Sequence, residues 1–68
     1  MTGWIEVFTG PRVKAEIVRA ALIAAGFRVE ELGGMPQFAE LDFDTGRLYV
    51  PDGEAIAARK FIEQAEAS

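Results

Sequence analysis

The chain has 68 residues, 7 Lys and Arg against 11 Asp and Glu, a net charge of −4, and neither Cys nor His. That length makes one α+β-sized domain, residues 1–68, near the lower limit at which a core sustains itself, and a half-hydrophobic composition argues against disorder. Without His or Cys, the chain lacks the commonest metal ligand, the commonest general base, a thiolate nucleophile and any disulfide, so no metal, cofactor or catalytic residue is expected.

Residues 4–8 (WIEVF) alternate and read as a strand, with Ile5 and Val7 on the inner face and Trp4, Glu6 and Phe8 on the outer. Residues 9–26 (TGPRVKAEIVRAALIAAG) read as one helix. Pro11 suits the first turn, where its missing N–H costs nothing, and Gly26 supplies the left-handed stop. At about 100° per residue, Ala15, Val18, Ala21, Leu22 and Ala25 form one apolar stripe, joined by the stem of Lys14. Val13, Ile17, Ala20 and Ala24 form a second stripe beside it. Only Arg12, Glu16 and Arg19 make a polar face, which Ile23 interrupts. The apolar arc is wider than a surface helix on a small sheet needs. It fits either a helix wedged between the sheet and a second helix, or an interface with another molecule.

Residues 27–32 (FRVEEL) alternate as a half-exposed strand, and residues 33–37 (GGMPQ) make a loop. Residues 38–43 (FAELDF) alternate again, Asp44-Thr45-Gly46 is a hairpin turn, and residues 47–50 (RLYV) return. Pro51 ends that strand and Asp52 can cap a helix over residues 53–67. Ala55, Ala58, Phe61, Ile62 and Ala65 share its apolar face. The order is β-α-β-β-β-α. Two strand–turn–helix units of this kind, WIEVF-TGP and RLYV-PDG, are what a split β-α-β, ferredoxin-like fold contains. The expectation is a mainly antiparallel sheet with two helices on one face and the final strand missing, which leaves the first strand at an edge.

Three stretches bear on chemistry. Glu40, Asp42 and Asp44 at alternate positions could attract a hard cation, but EF-hand spacing is absent and a solvated strand face is the simpler reading. Thr9-Gly10-Pro11, with Arg12 and Lys14 close by, could hold an anion at a helix N-terminus, but Pro11 deletes a donor and ordinary capping is favoured. Gly33-Gly34-Met35-Pro36 could be a mobile ligand-contacting loop, but a structural turn is the default reading. Tyr49 could join Trp4 and Phe8 in an aromatic surface.

AEIVRAALIAAGF and RLYVPDGEAIAARKFI together resemble a small bacterial domain family of prokaryotic signal-transducing proteins, which is similar in shape to short relatives of the PII regulators. The matching positions are Ala15, Leu22, Gly26, Phe27, Leu48, Val50, Pro51, Ala58, Arg59 and Ile62. Ala21 stands where the pattern has a first leucine. The resemblance implies a fold and a signalling role and carries no catalytic residues.

The basic residues are scattered, so no nucleic-acid partner is expected, and no apolar run approaches the roughly 18 residues of a membrane span. The N-terminus has no signal-peptide pattern, and a cysteine-free small domain fits the cytoplasm. The expected function is a non-enzymatic regulatory or protein-interaction module. The alternative is an effector-binding domain with its ligand at a dimer interface. A homo-oligomer, most simply a dimer, is expected through Ile5 and Val7 on the edge strand or Val13, Ile17, Ala20 and Ala24 on the first helix.

Overall fold

A computed structural model describes residues 2–32 and 45–67. Strand β1 (Trp4–Pro11) leads into helix α1 (Arg12–Ala24); β2 (Glu30–Leu32) and β3 (Thr45–Pro51) follow. A 3₁₀ turn (Asp52–Glu54) then opens helix α2 (Ala55–Ala67). The three strands form an antiparallel sheet in the order β1-β3-β2. The chain is therefore α+β, an arrangement compatible with a small ferredoxin-like fold. The strand expected over residues 38–43, and with it the full β-α-β-β-β-α order, lies outside the described residues.

β1 runs three residues further than its alternation suggested, and the helix starts correspondingly later. Thr9, Gly10 and Pro11 pair with Arg47, Gly46 and Thr45, and this pairing holds them extended. Pro11 is consequently the N-cap of α1, at φ −55° and ψ 142°, not a residue of its first turn. The other end of α1 follows expectation. Gly26 takes φ +97°, and the Phe27 and Gly26 N–H groups donate to the Leu22 and Ile23 carbonyls, both at 3.0 Å, in a Schellman closure. Beyond it, only Glu30–Leu32 of the expected second strand pairs with β3. Arg28 is instead tied to the 3₁₀ turn, its N–H donating to Glu54 Oε1 at 3.0 Å and its Nε to Oε2 at 3.3 Å. Asp52 does not act as the expected side-chain cap: Pro51 holds the N-cap position, and the Asp52 N–H donates to the Gly3 carbonyl at 2.9 Å.

The faces of β1 also differ from simple alternation. Ile5 pairs with Val50, but a bulge between Glu6 and Phe8 shifts the register, so Phe8 pairs with Leu48. One extra residue reverses the parity of everything after it. Phe8 therefore joins Ile5 and Val7 against the core instead of facing outward with Trp4 and Glu6.

Among the described residues the core is one cluster of Ala15, Leu22, Leu48, Val50, Ala55, Ala58 and Ile62, drawn from both helices and the inner face of β3. Phe27 and Phe61 close its rim with ring centroids 5.9 Å apart, so Phe61 is half-buried, not enclosed, and Ala65 on the same face is exposed. Helix α1 sits close to the sheet because small residues meet there: a Cβ at Gly46 would lie 2.6 Å from the Ala15 Cβ. Within β1 itself, a Cβ at Gly10 would lie 3.0 Å from the Phe8 ring.

Two outcomes test this packing in denaturant melts. Leu22→Ala should lose about 2–5 kcal/mol, since a fully buried side chain leaves a cavity that three elements must collapse to fill. Gly46→Ala should lose about 1–3 kcal/mol by forcing α1 off the sheet at Ala15.

Candidate functional site

Helix α1 turns its first apolar stripe to the sheet and its second to solvent. Ala15 and Leu22 are fully enclosed and Val18 and Ala21 half-buried. Val13 and Ile17, by contrast, keep 75% and 65% of their surface exposed, and Ala20 and Ala24 are exposed with them. Among the described residues, neither the sheet nor α2 takes up the second stripe. The helical spacing 13, 17, 20 and 24 places all four on one face, and none of them carries a polar group.

Ile17 also borders a groove of about 340 Å³ between the helices. Its walls are Ile17, Val18 and Ala21 from α1 and Phe61, Ile62 and Ala65 from α2. Lys14 Nζ and Glu66 Oε2, 3.1 Å apart, bridge one end. The rest of the wall is hydrocarbon, so the groove offers shape and apolar contact and one compensated pair of charges. Both members of that pair are about half exposed, where such a bridge contributes little net stability.

The two strand residues expected at an interface are placed differently from the helix residues. Ile5 and Val7 are half-buried against the core, so their side chains are largely used inside the chain. What β1 presents is its backbone: among the described residues its one sheet neighbour is β3.

The other sequence candidates separate readily. Thr9 and Gly10 belong to β1, so no loop of N–H groups precedes α1 there, and the cap makes no side-chain hydrogen bond. Glu40, Asp42, Asp44 and the Gly33–Pro36 stretch lie outside the described residues. Among the described residues no three His, Cys, Asp or Glu side chains converge as a metal would need. Tyr49 lies on the outer face and donates from its hydroxyl to Glu6 Oε1 at 3.3 Å. Trp4, paired with Pro51, shares that face, but the bulge has taken Phe8 to the other side and the three-membered aromatic surface does not form.

One cluster was not visible in the sequence. Glu31, paired with Leu48, points to the helix side, where it lies beside Gly46 and near Glu16 and Arg19 of α1. Arg19 Nε is 4.0 Å from Glu31 Oε1. Burial raises the Glu31 pKa above the usual carboxylate range, and the Glu16 carboxylate adds to this by repulsion and by a hydrogen bond to the protonated form. Arg19 and Arg12 oppose the shift without cancelling it.

Among the described residues, no helix is long and apolar enough to cross a membrane. Compared with family models, with characterised proteins and with solved structures, the chain gives no match.

The raised Glu31 pKa sets a pH dependence. The folded state binds this proton more tightly than the unfolded state, so its stability falls as pH rises from the ordinary glutamate value through the folded one. Below that window the group is protonated in both states and costs nothing. Glu31→Gln should therefore raise the melting temperature at pH 7, and the gap to the parent should close as pH falls towards 4. A gap that widens on acidification would show that attraction to Arg19 outweighs burial.

Proposed function

We propose that the chain is a small cytoplasmic, non-enzymatic regulatory module that works by protein contact, first with a second copy of itself, through the outer stripe of α1. The observation that carries this reading is the exposure of Val13 and Ile17 on a helix face that also contains Ala20 and Ala24. Burying such a face against an equivalent one removes apolar surface from water, and the two alanines let the helix backbones approach. A two-fold contact would use the same stripe on both partners. A signalling role is the part of the proposal that comes from the family resemblance. It supports the choice of a regulatory over a purely structural role.

A second reading rests on the groove. At about 340 Å³ it falls at the lower end of the size range of small-ligand sites, and its largely apolar wall suits an effector with an aromatic or aliphatic body. Ile17 belongs to both the groove and the stripe, so a ligand there would lie beside the proposed dimer contact. A thermal-shift panel of amino acids and nucleotides distinguishes the readings: dose-dependent stabilisation favours the effector module.

The primary test is sedimentation at tens of micromolar. The parent should sediment towards twice the 7.4 kDa chain mass. Ile17→Glu should return it to the monomer by placing an unpaired charge in an apolar contact, with little change in melting of the single chain. A parent that is monomeric throughout would refute self-association and leave the stripe to a different protein.

A further inference from the structure

We propose that Arg59 latches the outer edge of β1 against strand addition, and that removing its guanidinium opens this edge to β1 of a second copy. The surface concerned is the sheet edge, not the α1 stripe, so the proposal stands on separate observations from the function proposed above.

Among the described residues β1 is an edge strand, and eight residues containing Trp4, Ile5, Val7 and Phe8 are the kind of segment that pairs with its own copies. The direction of its backbone groups follows from the register. The Gly3 carbonyl accepts from the Asp52 N–H, so Gly3 faces β3. In an antiparallel pair the N–H and C=O of one residue point the same way and successive residues alternate. Ile5 therefore faces β3, while Trp4 and Glu6 turn their N–H and C=O to the outer edge. The Glu6 carbonyl does not remain open there. Arg59, reaching across from α2, donates from Nη2 to this oxygen at 3.0 Å.

Two further features fall at the same point. The bulge between Glu6 and Phe8 breaks the flat repeat that an incoming strand would need to follow. Tyr49 holds the Glu6 side chain by its carboxylate, which keeps a negative charge at the middle of the strand. A second β1 entering antiparallel and centred here would meet this carboxylate with its own. Carbonyl, backbone shape and charge are thus all set against pairing within two residues. Of these three, Arg59 is the contact supplied from outside the sheet, by α2, and so the one that can be removed without altering either β1 or its partner β3.

The test is made in the Ile17→Glu background, so that contact through α1 is already disabled. Arg59→Met keeps the aliphatic stem but has no donor, and it makes an acidic chain more acidic, so any added association cannot come from weaker charge repulsion. At tens of micromolar Arg59→Met should form dimers or larger species with increased strand signal in circular dichroism. Arg59→Lys, which retains a donor, should sediment as its parent does. Adding Glu6→Pro to Arg59→Met removes the outward N–H and should reverse the association. Hydrogen exchange provides a second measurement should Arg59→Met melt too early to sediment cleanly: the Glu6 amide should gain protection with increasing protein concentration. Identical sedimentation of Arg59→Met and its parent, with no concentration dependence at Glu6, overturns the latch. Association that Glu6→Pro leaves intact overturns it as well. Should the Ile17→Glu parent itself still associate, the α1 reading is refuted, while the latch is judged by the difference that Arg59→Met makes.

Discussion

The inner face of β3 is the constraint that the rest of the chain answers to. Gly46, Leu48 and Val50 are all enclosed, and among the described strands β3 is the one with a neighbour on either side. At Gly46 the absence of a side chain lets Ala15 come down onto the sheet, which fixes where α1 begins its crossing. Leu48 and Val50 then receive Leu22 from α1 and the Ala55, Ala58 and Ile62 side of α2. Among the described residues, three of the seven side chains in this cluster are alanines, and Leu22, Leu48, Val50 and Ile62 supply its larger apolar surfaces. The half-buried rim of Ile5, Phe8, Phe27 and Phe61 packs against them and adds to the apolar area removed from water.

Much of this could be read from residues, for identifiable reasons. Helical phase separates Ala15 and Leu22 from Val13 and Ile17 with no knowledge of the neighbours, because the angular positions are set by the helix itself. Gly26 marks the end of α1 because few other residues adopt the backbone its closure requires. The start of α1 was less legible. Thr9-Gly10-Pro11 has the composition of a turn, and only pairing with Thr45, Gly46 and Arg47 makes it strand. The bulge at Val7 was not legible either. WIEVF alternates cleanly on paper, and the extra residue appears only when two strands with different numbers of residues must meet at both ends. The positions that carry the family resemblance fall mostly in the core: Ala15, Leu22, Leu48, Val50, Ala58 and Ile62 are all enclosed. They describe packing, and any specificity of action must come from the surface around them.

The surface contacts that matter most were illegible because they join distant parts of the chain. Arg59 and Glu6 are 53 residues apart, and Tyr49 and Glu6 are 43 apart. No spacing rule links them. Glu31 and Glu16 meet only because β2 lies beside β3 on the side that α1 covers. The exposure of the second α1 stripe was an open alternative in the sequence, since the amount of surface that α2 covers depends on the angle between the helices. The structure brings α2 to Lys14, Ile17, Val18 and Ala21 as the far wall of a groove and leaves Val13, Ala20 and Ala24 outside it.

Among the described residues, the β1 edge and the outer stripe of α1 are treated in opposite ways. The β1 edge carries a bulge, a central carboxylate and a guanidinium on its backbone, each of which discourages pairing. Among the described residues, the outer stripe of α1 meets no comparable device. Its charged neighbours are turned to other work: Lys14 reaches along the helices to Glu66, and Arg19 reaches towards Glu31 at the sheet. A chain this acidic has ample charge with which to break up a four-residue apolar face, and one Lys or Glu at position 20 would do it at no cost to the core. Among the described residues, protection at the edge and none on the helix is the pattern expected when only the second surface is covered, and this asymmetry adds to the exposure of Val13 and Ile17 in favour of the proposed contact through α1.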